Sequence, residues 1–190
     1  MNTIGLDIGT SSVKALLVSP TGEVVKVSSP EYPFQTPKPL WAETNPDVWW
    51  EATQQAIRSL LENTDPESVG GIGLTGQMHG LVALDVKGDV LRPCIMWNDQ
   101  RSFAECEEMT SIIGKDEILR ITGNPVLAGF TAPKILWMQK NEPELFAKVD
   151  KILIWNNGKN IPPNQFEKDI TVINSPTSNL KLYFLRYLFR

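Results

Sequence analysis

Apolar and polar positions mix in three short β-favouring runs at the start of the chain, Thr3 to Ile8, Val13 to Val18 and Val24 to Val27. With the Thr-Gly turn of "SPTGEVV" before the third run, they predict a three-stranded antiparallel meander. The pattern then lapses. "YPFQTPKPLWAETNP" holds four prolines, each fixing its φ and removing a backbone donor, so a long surface loop without regular structure is expected there. At "TNPDVWWEATQQAIRSLLEN" the period becomes helical: Trp49, Ala52, Ala56 and Leu60 form one stripe, with Trp50, Ile57 and Leu61 beside it. Asn45 is placed to cap this helix, Pro46 suits its first turn, and Asp47 complements the positive end of its dipole.

Strand character returns in "VGGIGLTGQ" and "HGLVALDVKGDVL", with Lys87-Gly88 as the expected turn. A polar helix is predicted from Asp99 to Ile113, another from Asp116 to Ile121, and a third over "APKILWMQKNEP" until Pro143 stops it. Strands first, then strands alternating with helices, predict an α/β fold with a mixed sheet covered by helices. No internal repeat is visible. From Trp155 onward the chain is rich in asparagine and weakly periodic until the apolar, basic ending "NLKLYFLRYLFR". Residues 155–190 are expected to form a separate, poorly ordered tail, and a docking or membrane-surface helix is one reading of that ending.

Composition narrows the function classes. A chain of 190 residues, 42% of them hydrophobic, is long enough to bury about 70% of its unfolded surface without a disulfide or metal staple. Its net charge of -4 and the lack of a basic block argue against nucleic acid as a partner. No apolar run approaches the length of a membrane span and no leader pattern opens the chain, so a cytoplasmic protein without membrane association is expected. Cys94 and Cys106 follow no ligand spacing and are expected as reduced core thiols.

Two stretches have the letters of phosphate-binding loops. "GIGLTG", Gly71 to Gly76, matches a dinucleotide fingerprint, but its glycines lie inside an apolar run and strand character follows, so no helix N-terminus would face a pyrophosphate. Close backbone packing in a strand is expected instead. "DIGTSSVK" joins two predicted strands in a tight hairpin. Such a turn aims successive backbone N–H groups into one concavity, and Gly9 permits close approach of an anion. Thr10, Ser11 and Ser12 add hydroxyls, and Lys14 adds a compact positive charge. Asp7 beside phosphates has one useful task, holding Mg²⁺ against them. A solvated polar hairpin is the other reading of the same letters.

"LDIGTSSVKALLV", "PLWAETNPDVWW", "GLTGQMHGLVALD", "LRPCIMWNDQRS" and "ITGNPVLAGFTAPKILWMQKNEPELF" follow one another as in the N-terminal domain of the FGGY carbohydrate kinases, whose xylulokinase branch the chain most resembles. The resemblance covers about residues 3 to 154, so residues 1–154 are expected to form a partial N-terminal domain. It implies a ribonuclease H-like fold of the actin and hexokinase type. The activity it implies is ATP-dependent phosphorylation of D-xylulose to xylulose 5-phosphate, with ATP and Mg²⁺ as cofactors. By position, Asp7 falls on the magnesium-associated acid and Thr10, Ser11, Ser12 and Lys14 on the phosphate contacts. Met78 and His79, the latter the sole histidine of the chain, fall on the sugar-contacting pair. A neutral imidazole offers one donor and one acceptor to a ketose, and a methionine can cover its apolar face.

Trp97 and Asp99 of "WNDQR", with Asn98 and Arg101, are expected to line or brace the same cleft. Plain packing is the other reading of Trp97, and capping or pairing on the following helix that of Asp99 and Arg101. Trp41 either borders the sugar site or anchors the proline-rich loop. The family's catalytic aspartate lies beyond the matched region, and after "KVDKILI" the chain reads "WNNGKNIPPNQ" where a "PKDY"-like helix start belongs. No catalytic residue is therefore assigned. A truncated or frame-shifted product with little or no activity of its own is expected. The alternative is a non-catalytic sugar- or phosphate-binding fragment or a decayed gene product. A homodimer is left open for the full-length family.

Overall fold

The computed structural model describes residues 1–153. Strands β1 (Asn2–Ile8), β2 (Val13–Val18) and β3 (Val24–Ser28) form the expected antiparallel meander. Ile4 pairs with Leu17, Leu6 with Ala15 and Asp7 with Lys14. Because side chains alternate across a strand, this register gathers Ile4, Leu6, Val13, Ala15 and Leu17 on one buried face and leaves Asp7 and Lys14 exposed on the other.

The buried face is covered by helix α1 (Asp47–Leu61), which turns Ala52, Ala56 and Leu60 toward the sheet. The two alanines bring the helix close to the strands, and the Asn45 side chain accepts the Asp47 N–H at 3.2 Å in its first turn. Trp50, expected beside the buried stripe, is 65% exposed. One residue past Trp49, it lies about 100° around the helix and clears the sheet.

The proline-rich stretch is not wholly irregular. Residues 43 and 44 form strand β4 (Glu43–Thr44), and Glu43 also exchanges both backbone hydrogen bonds with Gln35, at 2.6 and 2.8 Å. The four prolines flank this segment and none interrupts it, so its N–H groups are free to pair. Ala42, Glu43 and Thr44 are buried in consequence.

Strand β5 (Val69–Gly76) joins the sheet parallel to β1, giving the order β3-β2-β1-β5. "GIGLTG" is thus strand, as expected, but the expected close backbone packing is not found at Gly71 or Gly73. A Cβ on Gly71 would meet nothing within 4 Å and one on Gly73 only the Ile4 carbonyl at 4.0 Å. Ile72 and Leu74, level with Ile4 and Leu6, lie beyond the reach of α1 and are exposed.

A second core lies beyond the sheet. Strand β6 (Val82–Leu84) pairs with β8 (Lys151–Leu153), and β7 (Cys94–Ile95) pairs with β4. Gly88 makes the expected turn at φ +88°, its N–H bonded to the Asp85 carbonyl at 3.0 Å. Helices α2 (Phe103–Ile113), α3 (Lys115–Thr122), α4 (Thr131–Asn141) and α5 (Pro143–Phe146) follow. Ile135, Trp137 and Met138 of α4 pack on Leu81, Ala83, Ile95 and Ile152. Helix α2 starts four residues later than expected, because Asp99 to Ser102 form a side-chain-bonded turn. Pro143 ends α4 and also opens α5, where its missing N–H costs nothing. Cys94 and Cys106 are buried free thiols. Among the described residues no helix is long and apolar enough to cross a membrane. The expectations for residues 155–190 lie outside the described residues.

Candidate functional site

The β1–β2 hairpin is closed from within. The Gly9 N–H donates to the Ser12 carbonyl at 2.9 Å, and a Cβ on Gly9 would stand 3.0 Å from that oxygen. This corrects the expectation that all the N–H groups of the turn face one concavity, since that of Gly9 is spent inside it. The back of the turn is tied down by Tyr32. Its hydroxyl donates to the Gly9 carbonyl at 2.7 Å with the Ser12 carbonyl at 3.2 Å, and its N–H donates to the Ser11 carbonyl at 2.9 Å. Burial, with the charge of Asp7 as a smaller cause, pushes the phenol up to about 12, so it stays a donor. The exposed side of the hairpin then carries Asp7, Lys14 and the Thr10, Ser11 and Ser12 turn.

The end of β5 runs alongside. The Gln77 N–H donates to the Ile8 carbonyl at 2.9 Å, and both side-chain polar atoms of Gln77 are buried without a hydrogen-bond partner among the described residues. Two residues on, His79 adopts φ +66°, a left-handed conformation that a residue with a Cβ adopts only when its surroundings hold it there. Gly80 follows, where a Cβ would lie 2.9 Å from the Cys94 sulfur.

His79 forms one wall of a hollow of about 370 Å³, with Trp97, Gln100, Phe103 and Phe130 among the others. Its ring lies 4.7 Å from that of Phe130 at an interplanar angle of 40°. Burial first, and the charge of Lys134 second, hold the imidazole below its usual pKa, so it is neutral at neutral pH and offers one donor and one acceptor. Across the opening, the Trp97 indole N–H donates to Thr10 Oγ1 at 2.9 Å, joining the hollow to the hairpin. Lys134 of α4 is fully buried, and its ammonium donates to the carbonyls of His79 and Gly129, each at 2.7 Å.

Of the four residues expected at the sugar, His79 and Trp97 line this hollow, and Met78 is 40% exposed and not among its walls. Asp99 is placed elsewhere. It is fully buried, accepting the Ala42 N–H at 2.6 Å and the Arg101 N–H at 2.9 Å, with the Arg101 guanidinium on both its oxygens. The expectation of a sugar contact is therefore corrected to that of a brace, because the carboxylate is fully buried on Ala42 and Arg101 and is not among the walls of the hollow. Arg101 in turn stacks on Trp41 at 3.7 Å and pairs with Glu43 at 2.7 Å. Glu43 also pairs with Arg92, which holds Glu142 at 2.6 Å. Trp41 packs edge-on against Trp137 at 5.3 Å and belongs to this network, not to the border of the hollow.

Tyr32, Phe130 and Lys134 also take part, and the sequence carries no local signal for them. Tyr32 and Lys134 act on backbone carbonyls distant in sequence, which no motif marks, and Phe130 meets His79 only through the fold.

A meander joined in parallel by the next strand, with a helix across one face and an acid-and-hydroxyl hairpin beside its mouth, defines a ribonuclease H-like ATPase domain of the actin and hexokinase type. The chain belongs to the FGGY family of carbohydrate kinases, whose N-terminal domain it matches over residues 2–157. It is 43% identical to xylulose kinase of Escherichia coli strain K12 over 151 residues, which are 80% of this chain and 31% of that protein. It is 44% identical to xylulose kinase of Bacillus subtilis strain 168 over 153 residues, covering 80% of this chain and 30% of that one. Its fold is similar to that of the xyloylose kinase of Brucella ovis, with a TM-score of 0.76 at 42% identity, over 81% of this chain and 32% of that chain. The chain thus spans about a third of the length of these relatives.

Proposed function

We propose that this chain forms a phosphate- and sugar-binding part of an ATP-dependent D-xylulose kinase, whose product is xylulose 5-phosphate. The observation that carries the reading is the Trp97 to Thr10 hydrogen bond, 2.9 Å long. It sets a polar-tipped hollow with a neutral histidine directly against the hydroxyl-rich hairpin, the arrangement needed to bring a sugar hydroxyl to a nucleotide phosphate.

The donor set suits a magnesium nucleotide. Among the described residues no cluster of three acidic, histidine or cysteine side chains could cage a metal. Asp7 is a single exposed carboxylate across the hairpin from Lys14, and Mg²⁺ is commonly held by one or two carboxylates together with substrate phosphates. Asp7 would hold the ion, which would shield phosphate charge, while Lys14 and the hydroxyls of Thr10, Ser11 and Ser12 would orient the phosphates. His79 and Trp97 would fix the ketose, with Met78 at its rim.

Among the described residues, the walls of the hollow include no carboxylate to deprotonate the attacking hydroxyl. General-base catalysis is worth on the order of 10² to 10⁴ in rate, so the chain alone is expected to bind both ligands and to turn over little or not at all. Calorimetry of the 190-residue chain tests this. Mg-ATP should give heat that Asp7→Ala removes, and D-xylulose should give heat that His79→Ala removes. A wild-type chain that binds neither ligand overturns the reading, and sugar-dependent ADP release by the chain alone overturns the expected inactivity.

A further inference from the structure

We infer that Lys134 is a positioning residue for the sugar hollow, its buried ammonium clamping the carbonyls of His79 and Gly129 and thereby setting the imidazole against Phe130. What that geometry serves rests on the sugar reading above, but the clamp stands or falls by itself.

Lys134 has none of the usual reasons to be a lysine. It is fully buried within α4, where an ammonium is costly and a methionine or leucine would fill similar space at lower cost. Its Nζ instead makes two short charge-assisted bonds, both 2.7 Å, to carbonyls on segments 50 residues apart. Burial pulls its pKa down to about 8, which leaves it charged at neutral pH with all its donors present. Cys94, Asp99, Arg101 and His79 are titratable groups that interact with it.

Both clamped segments are walls of the hollow, and both are held in unusual positions. His79 sits at φ +66°, a conformation that persists only where the surroundings hold it, and the bond to its carbonyl is one such hold. At Gly129 a Cβ would stand 2.6 Å from the Trp97 carbonyl, so this segment is pressed onto the third wall. Phe130, directly after Gly129, carries the ring that meets His79 at 4.7 Å. One ammonium therefore fixes the spacing of His79, Phe130 and, through Gly129, Trp97. Without it, two part-buried carbonyls lose their donor and the left-handed turn loses one of its anchors.

The lone histidine makes the test direct, because its ring protons are the only imidazole signals in a proton NMR spectrum of the 190-residue chain. Phe130→Leu gives the resonance positions of an imidazole freed from the ring current. In a folded Lys134→Met variant, with folding checked by circular dichroism, the His79 signals should move toward those positions. D-xylulose should also bind on the order of tenfold more weakly, while Mg-ATP binding is unchanged. Should Lys134→Met not fold, Lys134→Arg keeps the charge but relocates the donors, and should move the same signals. Wild-type His79 resonances in a folded variant of either kind overturn the clamp. Displaced resonances support it even in a chain that binds no D-xylulose, so failure of the sugar reading and failure of the clamp are separate outcomes.

Discussion

The Trp97 indole donates to Thr10 Oγ1 at 2.9 Å, so one wall of the hollow and the tip of the β1–β2 hairpin form a single mechanical unit. Trp97→Phe keeps an aromatic wall and deletes this one bond. A neutral hydrogen bond at a half-exposed site contributes about 1 kcal/mol, so Mg-ATP affinity is expected to fall about fivefold with little change for D-xylulose. Trp97→Ala should weaken both. Calorimetry distinguishes the cases, and equal losses for both ligands in Trp97→Phe would show that the bond does not act on the hairpin.

Tyr32 braces the same hairpin from behind. Tyr32→Phe leaves the Gly9 and Ser12 carbonyls without their phenol donor, at a cost of about 1 to 2 kcal/mol. The thermal midpoint should drop by about 2 to 8 °C, and Mg-ATP binding should weaken as the turn loosens. A variant with wild-type melting and wild-type nucleotide affinity would remove Tyr32 from the account.

The readable parts of this molecule are those whose physics is local. The meander shows as β-favouring runs, α1 as a stripe of Trp49, Ala52, Ala56 and Leu60, and the hairpin as an acid followed by hydroxyls. Strand β4 escaped notice because two residues carry no period, and its pairing with β7 lies about 50 residues away. The exposure of Trp50 is not legible in the sequence, because an apolar residue at the edge of a stripe faces the core only if the helix is rolled that way. His79 and Trp97 are singled out by the resemblance alone, and the fold brings both to the wall of one hollow. Lys134 and Asp99 resisted for the opposite reason. Charged side chains are expected at the surface or at a ligand, and here both are fully buried, one on backbone carbonyls and the other on Arg101.

That placement of Asp99 has a consequence opposite to that of a sugar ligand. Asp99→Asn breaks a buried pair with Arg101 and weakens its hold on the Ala42 N–H. Removing one partner of such a pair costs about 3 to 5 kcal/mol. Urea denaturation should show that loss, with D-xylulose affinity per folded molecule close to wild type. Unchanged stability together with abolished sugar binding would return Asp99 to the hollow.

The sole histidine also gives the protein a defined response to acid. Its imidazole has a folded pKa below the usual 6.5 because burial, and then Lys134, disfavour the charged form. Above that usual value both folded and unfolded chains carry a neutral imidazole, and His79 contributes nothing to pH dependence. As pH falls below it, the unfolded chain takes up a proton first, so stability is lost through the window between the unfolded and the lower folded value, and the loss is complete below the latter. Carboxylates titrate nearby in pH, so the effect is read as the difference in thermal midpoint between wild type and His79→Gln from about pH 7.5 to about pH 5. The wild type should lose stability relative to the variant on acidification, and D-xylulose affinity should fall only at lower pH, as the folded imidazole itself passes through its depressed pKa and loses its acceptor. An NMR titration of His79 with a midpoint at or above the usual value would contradict both expectations.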